Sequence, residues 1–395
     1  MKVKIRSGDT FWYYSQLFLV NVQLIIDSNP NLKSSSLPVG QEVNIPGFIT
    51  QQYTIKRGDT FWKLAAARHI SVDALLLLNQ TKNPNLLKPG DIILLPKRVT
   101  YFVVNGKIEY NSTKLQEDLV KLKEIYPFIT ERSVGTSVLG KPLHVIKIGK
   151  GPKKVQINAS FHANEWITTP ILMRLVNEYV RSQTNNYPIR GLNPLPLYHQ
   201  VELTIVPMVN PDGVDLILNG PPSKMKDEVI KINKGSTDFS GWKANIRGVD
   251  LNNQYPANWD IEKKRKEPKQ PAPRDYPGDA PLTEPEAKAM ADLARSGRFD
   301  KMLAFHTQGK EFYWGYEGFE PPQSKVIATE FERVSGYRAI QYVDSHAGYK
   351  DWFIQEFRKP GFTIELGKGV NPLPLSQFDE IYQEVLGIFL ASLYM

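Results

Sequence analysis

The chain has 395 residues, 41% of them hydrophobic and 23% charged, the balance of a soluble globular protein long enough for two or three domains. It contains no cysteine and only six histidines, which excludes disulfides, thiolate metal sites and a cysteine nucleophile and leaves His, Asp and Glu to hold any metal. The net charge of +8 favours anionic surroundings, but it is not gathered into a nucleic-acid-binding stripe, and no apolar run approaches the ~20 residues that span a bilayer.

The first hundred residues are a repeat. Arg6-Ser7-Gly8-Asp9-Thr10-Phe11-Trp12 returns as Arg57-Gly58-Asp59-Thr60-Phe61-Trp62. Val22, Asn29, Gly40 and Pro46 answer to Val72, Asn79, Gly90 and Pro96 at an offset of 50. Such self-similarity marks two copies of one module. Each copy reads as a short strand, a Gly-Asp turn, two helices and a closing strand. Asp59 or Thr60 can cap the first helix of the second copy, and Ser71 the next.

This pattern resembles the lysin motif (LysM), a βααβ module, over residues 2–46 and 52–96. The resemblance implies binding of N-acetylglucosamine-containing glycans between the loop after the first strand and the loop before the last. The implied glycan-binding residues are Gly8, Asp9, Thr10 and Phe11 with Leu37 to Gly40, and Gly58, Asp59, Thr60 and Phe61 with Leu86 to Gly90. Trp12 and Trp62 are expected in the core. The inserted Lys33-Ser34-Ser35-Ser36 sets the first copy apart from the pattern.

Residues 98–109 read as a connector, and 110–395 as one further domain after modules at 1–47 and 51–97. A helix with Ser112 or Thr113 as cap carries Leu115, Leu119, Leu122 and Ile125 on one face and stops at Pro127. A strand over Leu143 to Ile148 precedes a second, Val155 to Ala159, which leads into Ser160-Phe161-His162-Ala163-Asn164-Glu165-Trp166. Thr168-Thr169-Pro170 then opens a helix. A His and a Glu three apart on a tight bend can turn toward one point, as two zinc ligands must. His-x-x-Glu is a weak pattern, and the second copy, His199 to Glu202, is read at the head of a strand, where residues three apart face opposite sides.

Further on, the Pro- and Lys-rich stretch 256–281 reads as a loop, with Lys263-Lys264-Arg265-Lys266 as a solvated run in it. Thr283-Glu284-Pro285-Glu286 reads as a capping box. The apolar strand Lys301 to Phe305 ends in His306, a natural third ligand that would leave one position open for water. Phe362-Thr363-Ile364-Glu365-Leu366 places one acid inside an apolar strand. A buried carboxylate needs a partner, and a general base beside an attacking water supplies the reason. Strands alternating with helical patterns predict an α/β domain whose mixed or largely parallel sheet carries its ligands beyond strand ends.

His162 to Trp166, Val209-Asn210-Pro211-Asp212-Gly213, Gly248-Val249-Asp250-Leu251-Asn252, the strand end at His306 and Phe362 to Leu366 together resemble the zinc metallocarboxypeptidases over about 110–395. The resemblance implies one zinc ion per chain on His162, Glu165 and His306, with Glu365 as catalytic base. It implies a cation that polarises the scissile carbonyl, either Lys243 or Arg247. Asp351-Trp352 matches the floor of the pocket for the residue beyond the cut, and Lys350 the position that sets specificity there. The tyrosine lining the site is Tyr342 or Tyr349, with Tyr342 favoured. After Asn252, digestive members carry an Arg that clamps a terminal carboxylate; here Asn253 replaces it.

With the LysM pair, this implies a zinc-dependent peptidoglycan hydrolase that cuts stem peptides between γ-D-glutamate and the following diamino acid, meso-diaminopimelate or lysine. The alternatives are a zinc carboxypeptidase trimming peptide ends and a non-catalytic wall- or spore-binding protein. Neither a nucleic-acid partner nor membrane insertion is expected. Met1 leads straight into the repeat with no apolar leader, which points to a cytoplasmic or forespore protein, or one joined to spore and wall after release.

Overall fold

The computed structural model describes residues 1–395, and each half of the repeat folds as βααβ. The first copy consists of β1 (Lys2–Lys4), α1 (Phe11–Phe18), α2 (Val22–Asp27) and β2 (Glu42–Asn44). The second consists of β3 (Phe48–Thr54), α3 (Phe61–Ala66), α4 (Val72–Leu78) and β4 (Ile92–Arg98). The repeated Thr sets the start of each first helix: Thr10 and Thr60 accept from Tyr13 N and Lys63 N, filling a donor that a helix N-terminus leaves open. The repeated Asn ties the second helix to the closing strand. Asn79 Nδ2 donates to Leu94 O and its Oδ1 accepts from Leu94 N, both at 2.8 Å, and Asn29 does the same with Asn44.

Phe11 and Phe61 are buried, while Trp12 and Trp62 are 66% and 69% exposed. The expectation of core tryptophans is therefore corrected. One residue along a helix is a rotation of about 100°, so when the Phe fills the core its neighbour is carried to the surface. The two copies are bonded to each other. The Arg6 guanidinium forks onto Asp73 at 2.8 and 2.7 Å, and Tyr13 donates to the same carboxylate.

This compact unit comprises Met1–Val103, Leu119–Thr130 and Asn177–Leu195. Its share of the expected connector is held down at several points. Arg98 donates to Thr184 O at 2.5 Å, Val103 N to Asn177 Oδ1 at 2.7 Å, and Arg181 to Thr100 O at 2.9 Å. These contacts are long-range in sequence, so no local pattern announces them.

The second unit comprises Val104–Asp118, Glu131–Val176 and Pro196–Met395. Along the chain after β4, with α5 and α6 each divided between the two units, come α5 (Ser112–Ile125), β5 (Thr130–Thr136), β6 (Pro142–Ile148), β7 (Lys153–Ala159), α6 (Thr168–Asn185), α7 (Pro194–Gln200) and β8 (Val201–Val206). They are followed by α8 (Pro211–Asn219), α9 (Lys226–Ile232), α10 (Trp259–Arg265), α11 (Pro285–Gly297), β9 (Lys301–Thr307) and β10 (Glu311–Tyr313). The last are α12 (Gln323–Ser335), β11 (Arg338–Ile340), α13 (Tyr349–Phe357), β12 (Gly361–Leu366) and α14 (Phe378–Tyr394).

The sheet order is β11-β10-β12-β9-β7-β8-β6-β5. Its centre, β12-β9-β7-β8, is parallel, with β10 antiparallel to β12 and β6 antiparallel to β8. The mixed α/β sheet flanked by helices is the one the alternation predicts. Every residue of β9 is buried, as expected for a strand covered on both faces. No helix is long and apolar enough to cross a membrane.

Three local expectations fail. His199 closes α7 rather than opening a strand, and Glu202 in β8 pairs with Lys147. Thr283 caps nothing: α11 starts after Glu284 with no side-chain cap, and the Thr283 hydroxyl instead donates to Gln254. The basic run lies largely on α10, whose buried Glu262 draws Arg265 to 2.7 Å and Lys266 to 3.4 Å. Two i,i+3 and i,i+4 pairs on one acid give a helical reason for charges read as loop.

Candidate active site

β7 ends at Ala159, and Ser160 turns the chain with a φ of 50°. Its hydroxyl lies 3.0 and 2.7 Å from the hydroxyls of Thr168 and Thr169 at the head of α6, which pins the bend. The 3-10 turn Ala163–Glu165 follows, so His162 and Glu165 face one point, with Nδ1 and Oε1 2.9 Å apart. β9 brings His306 to the same place. Its Nδ1 lies 2.9 Å from Glu165 Oε2 and 3.2 Å from His162 Nδ1.

All three residues are buried, and their ligand atoms lie within 4.8 Å of one another. Two imidazole nitrogens aimed at each other beside a carboxylate make a cation-shaped gap rather than a hydrogen-bond network. Two nitrogens and one oxygen are a donor set that zinc accepts. The other nitrogen of His162, Nε2, lies 3.2 Å from Asp250 Oδ1. Metal-bound histidines are commonly oriented by such a carboxylate, so the residues fit the ion.

Glu365 on β12 is the register partner of His306 on β9, and partners on adjacent strands share a face. Burial, reinforced by the nearby Glu165 carboxylate, pushes Glu365 above the ordinary carboxylate range. A cation held by the three ligands would draw it back toward the range of a working general base.

The structure separates the two cations left open by spacing. Lys243 follows the buried Trp242, and its backbone carbonyl accepts from Ala163 N at 3.0 Å, so it is fastened to the metal turn. Its Nζ lies 3.0 Å from Asp250 Oδ2 and 3.3 Å from Asp275. Burial opposes its charge, but Asp250, Asp275 and Glu165 hold it above the ordinary lysine range. Arg247 is half exposed, sits 3.6 Å from Glu284 and lines a separate cavity with Tyr276 and Asp279.

The substrate-side expectations divide. Asn252 Oδ1 accepts from Tyr349 N at 3.0 Å. Asn253 is buried with its amide 3.4 Å from Glu262, so the position offers no cationic clamp. Tyr349 belongs to the core, with its hydroxyl donating to Gln156 at 2.7 Å. Tyr342 is exposed and donates to Glu320 at 2.6 Å, lining an open cavity with Gly315, Tyr316 and Glu317.

Lys350, at the position matched to specificity, is buried, with Nζ 2.8 Å from Gly315 O and 2.7 Å from Asp351 Oδ1. Asp351 also accepts from Gly348 N at the start of α13, so its role is local. Asp250 is the site residue that sequence reasoning quoted in a motif and left without a task. Its signal in the sequence was an Asp two residues before Asn252, the position matched to substrate binding.

The zinc carboxypeptidase family model matches residues 115–387, and the LysM domain model matches 3–46 and 53–96. The gamma-D-glutamyl-L-diamino acid endopeptidase 1 of Lysinibacillus sphaericus is 53% identical over 397 residues, covering 100% of both chains. The uncharacterized protein YqgT of Bacillus subtilis (strain 168) is 47% identical over 291 residues, covering 72% of this chain and 77% of its own. Among solved structures, bovine thrombin-activatable fibrinolysis inhibitor superposes with a TM-score of 0.54 at 20% identity, covering 73% of this chain and 97% of that one, a likeness of fold. The His-Glu-His cluster, the mixed sheet and these matches agree: the chain belongs to the zinc carboxypeptidase family of metallopeptidases and carries two LysM domains.

Proposed function

We propose that this protein hydrolyses the amide between γ-D-glutamate and the following diamino acid in peptidoglycan stem peptides, while its LysM domains hold N-acetylglucosamine-containing glycan through the Gly-Asp-Thr loops. The observation that carries the reading is the convergence of His162, Glu165 and His306 with Glu365 in register beside them. The full-length relative whose name states this cleavage supports the choice of bond.

One zinc ion per chain, bound by the three ligands, would polarise the carbonyl and acidify a water. Glu365 takes a proton from the attacking water and returns it to the departing amine. Lys243 faces the developing oxyanion, a contribution of about 3 kcal/mol for a well-placed donor. Asp250 holds the His162 ring and keeps Lys243 charged. Asn253, backed by Glu262, suits an uncharged stretch of substrate better than a terminal carboxylate, which argues for internal cleavage over end-trimming.

The test is digestion of the tetrapeptide L-Ala-γ-D-Glu-meso-diaminopimelyl-D-Ala, and of an ordinary α-linked peptide of equal length, with and without chelator. Mass spectrometry should show L-Ala-D-Glu and the dipeptide diaminopimelyl-D-alanine from the first only, and nothing once metal is removed. Stepwise loss of C-terminal residues from both would support the carboxypeptidase reading instead.

A further inference from the structure

We propose that Glu311 and Arg338 form the receptor for the charged far end of the diamino acid side chain, with Glu311 meeting its ammonium and Arg338 its carboxylate. This rests on the reading above and deepens it. Register carries the argument. His306 pairs with Glu365, Glu365 with Glu311, and Glu311 with Arg338. Four ionisable side chains therefore stand in one transverse row across β9, β12, β10 and β11, starting at a metal ligand and ending at the sheet edge. The opposite face of these strands is apolar: Phe312, Phe362 and Ile364 are fully buried, and Phe362 packs on Phe331 of α12.

Two carboxylates directly opposite one another in a sheet repel, so Glu311 beside Glu365 is a costly arrangement. An ion pair at the sheet edge does little to offset that, since exposed pairs contribute little; the Arg338 side chain is 71% exposed and that of Glu311 15%. A ligand that needs both charges gives the row a reason. Glu311 is already set for it, with Tyr313 donating to Oε1 at 2.6 Å and Arg338 to Oε2. Tyr313 lies in register with Thr363, so two hydroxyl-bearing side chains share the face of the row.

The reach agrees. Strands lie about 4.8 Å apart, which places Glu311 about 10 Å along the sheet from His306. From Cα to the far centre of diaminopimelate there are four carbon–carbon bonds, about 5 Å extended, with the amine or carboxyl one bond further. With the scissile nitrogen at the metal end of the row, the far centre comes abreast of Glu311. That centre is a zwitterion in diaminopimelate and a lone ammonium in lysine, so the acid should serve both substrates and the arginine only the first.

The test uses the full zinc-loaded chain and three peptides, L-Ala-γ-D-Glu-X, with X as meso-diaminopimelate, L-lysine or L-norleucine. Arg338→Gln should lose about tenfold or more in kcat/KM on the diaminopimelate peptide, through KM, and less than about twofold on the other two. Glu311→Gln should lose about tenfold on both diamino substrates and leave norleucine behind by much less. If Glu311→Gln folds poorly, Arg338→Gln alone still decides, since its side chain lies at the surface. Equal losses on all three peptides would show the pair to be an edge bridge and overturn the inference. A wild-type enzyme that cuts none of the three would overturn the parent reading, and this one with it.

Discussion

Asp250 meets Lys243 through one carboxylate oxygen, at 3.0 Å, and His162 through the other, at 3.2 Å. One buried acid therefore aligns a metal ligand and keeps a buried cation charged. Asp250→Asn should lower zinc affinity about 10- to 100-fold, the usual cost of removing such a partner. Competition with a chromogenic chelator measures it, and an unchanged affinity would remove Asp250 from the metal site.

Lys243 and Arg247 make opposite predictions. Lys243→Met should cut kcat about 10²- to 10³-fold with KM little changed, the signature of a donor that acts in the transition state. Arg247→Ala should stay within about threefold, since an exposed side chain away from the reacting groups contributes little. Steady-state kinetics on the defined tripeptide decide between them, and the reverse pattern would exchange their roles.

Glu365→Gln should retain stoichiometric zinc and lose about 10³-fold or more in turnover, the general-base share of catalysis. Zinc content by atomic absorption and kcat on one preparation check both halves. A variant with near-normal turnover would leave the active site without a proton acceptor among its named residues.

The exposed Trp12 and Trp62 flank the Gly-Asp-Thr turns of the two LysM domains. Replacing both by Ala should weaken sedimentation with purified wall by about tenfold, since exposed aromatic anchors carry much of a binding surface's energy. Cleavage of a soluble tripeptide, which has no glycan, should be unaffected. Undiminished wall binding would return the burden to the loops themselves.

Glu286 on α11 is fully buried and accepts from Val138 N at 3.0 Å. Burial, aided by Asp212 and Glu284, pushes its carboxyl up to about 7 from the ordinary 4.5. The folded state thus keeps a proton that the unfolded chain releases, and stability falls as pH rises from about 4.5 to 7. Glu286→Gln should remove that fall, worth at most about 3 kcal/mol. Denaturant unfolding of both proteins at pH 5 and pH 8 tests it; parallel losses in the two would mean that other groups govern the decline.

The repeat, the strand-to-helix bend at His162 and the strand ends at His306 and Glu365 were legible because each writes itself in a local period or a lone polar residue in an apolar run. The metal cluster follows from topology once β7 and β9 are neighbours. Lys243 and Arg247 could not be told apart because four residues in an irregular loop carry no period. Their difference is which one the metal turn bonds, a contact spanning eighty residues. The surroundings of Tyr349 and Lys350 were not legible for a related reason: the sequence marks the start of α13, but not which of its side chains are buried. The exposure of Trp12 was open to reading from its place next to a core Phe on one helix.

The fork of Arg6 onto Asp73 adds a non-covalent clamp to the short chain segment that joins the two LysM domains, and so holds them at one spacing. If both domains engage one glycan strand, such a pair gains avidity only when the strand's own pitch presents two binding units at that interval. Walls with altered glycan length or de-N-acetylated stretches should therefore be discriminated by rhythm rather than by affinity at either reader alone.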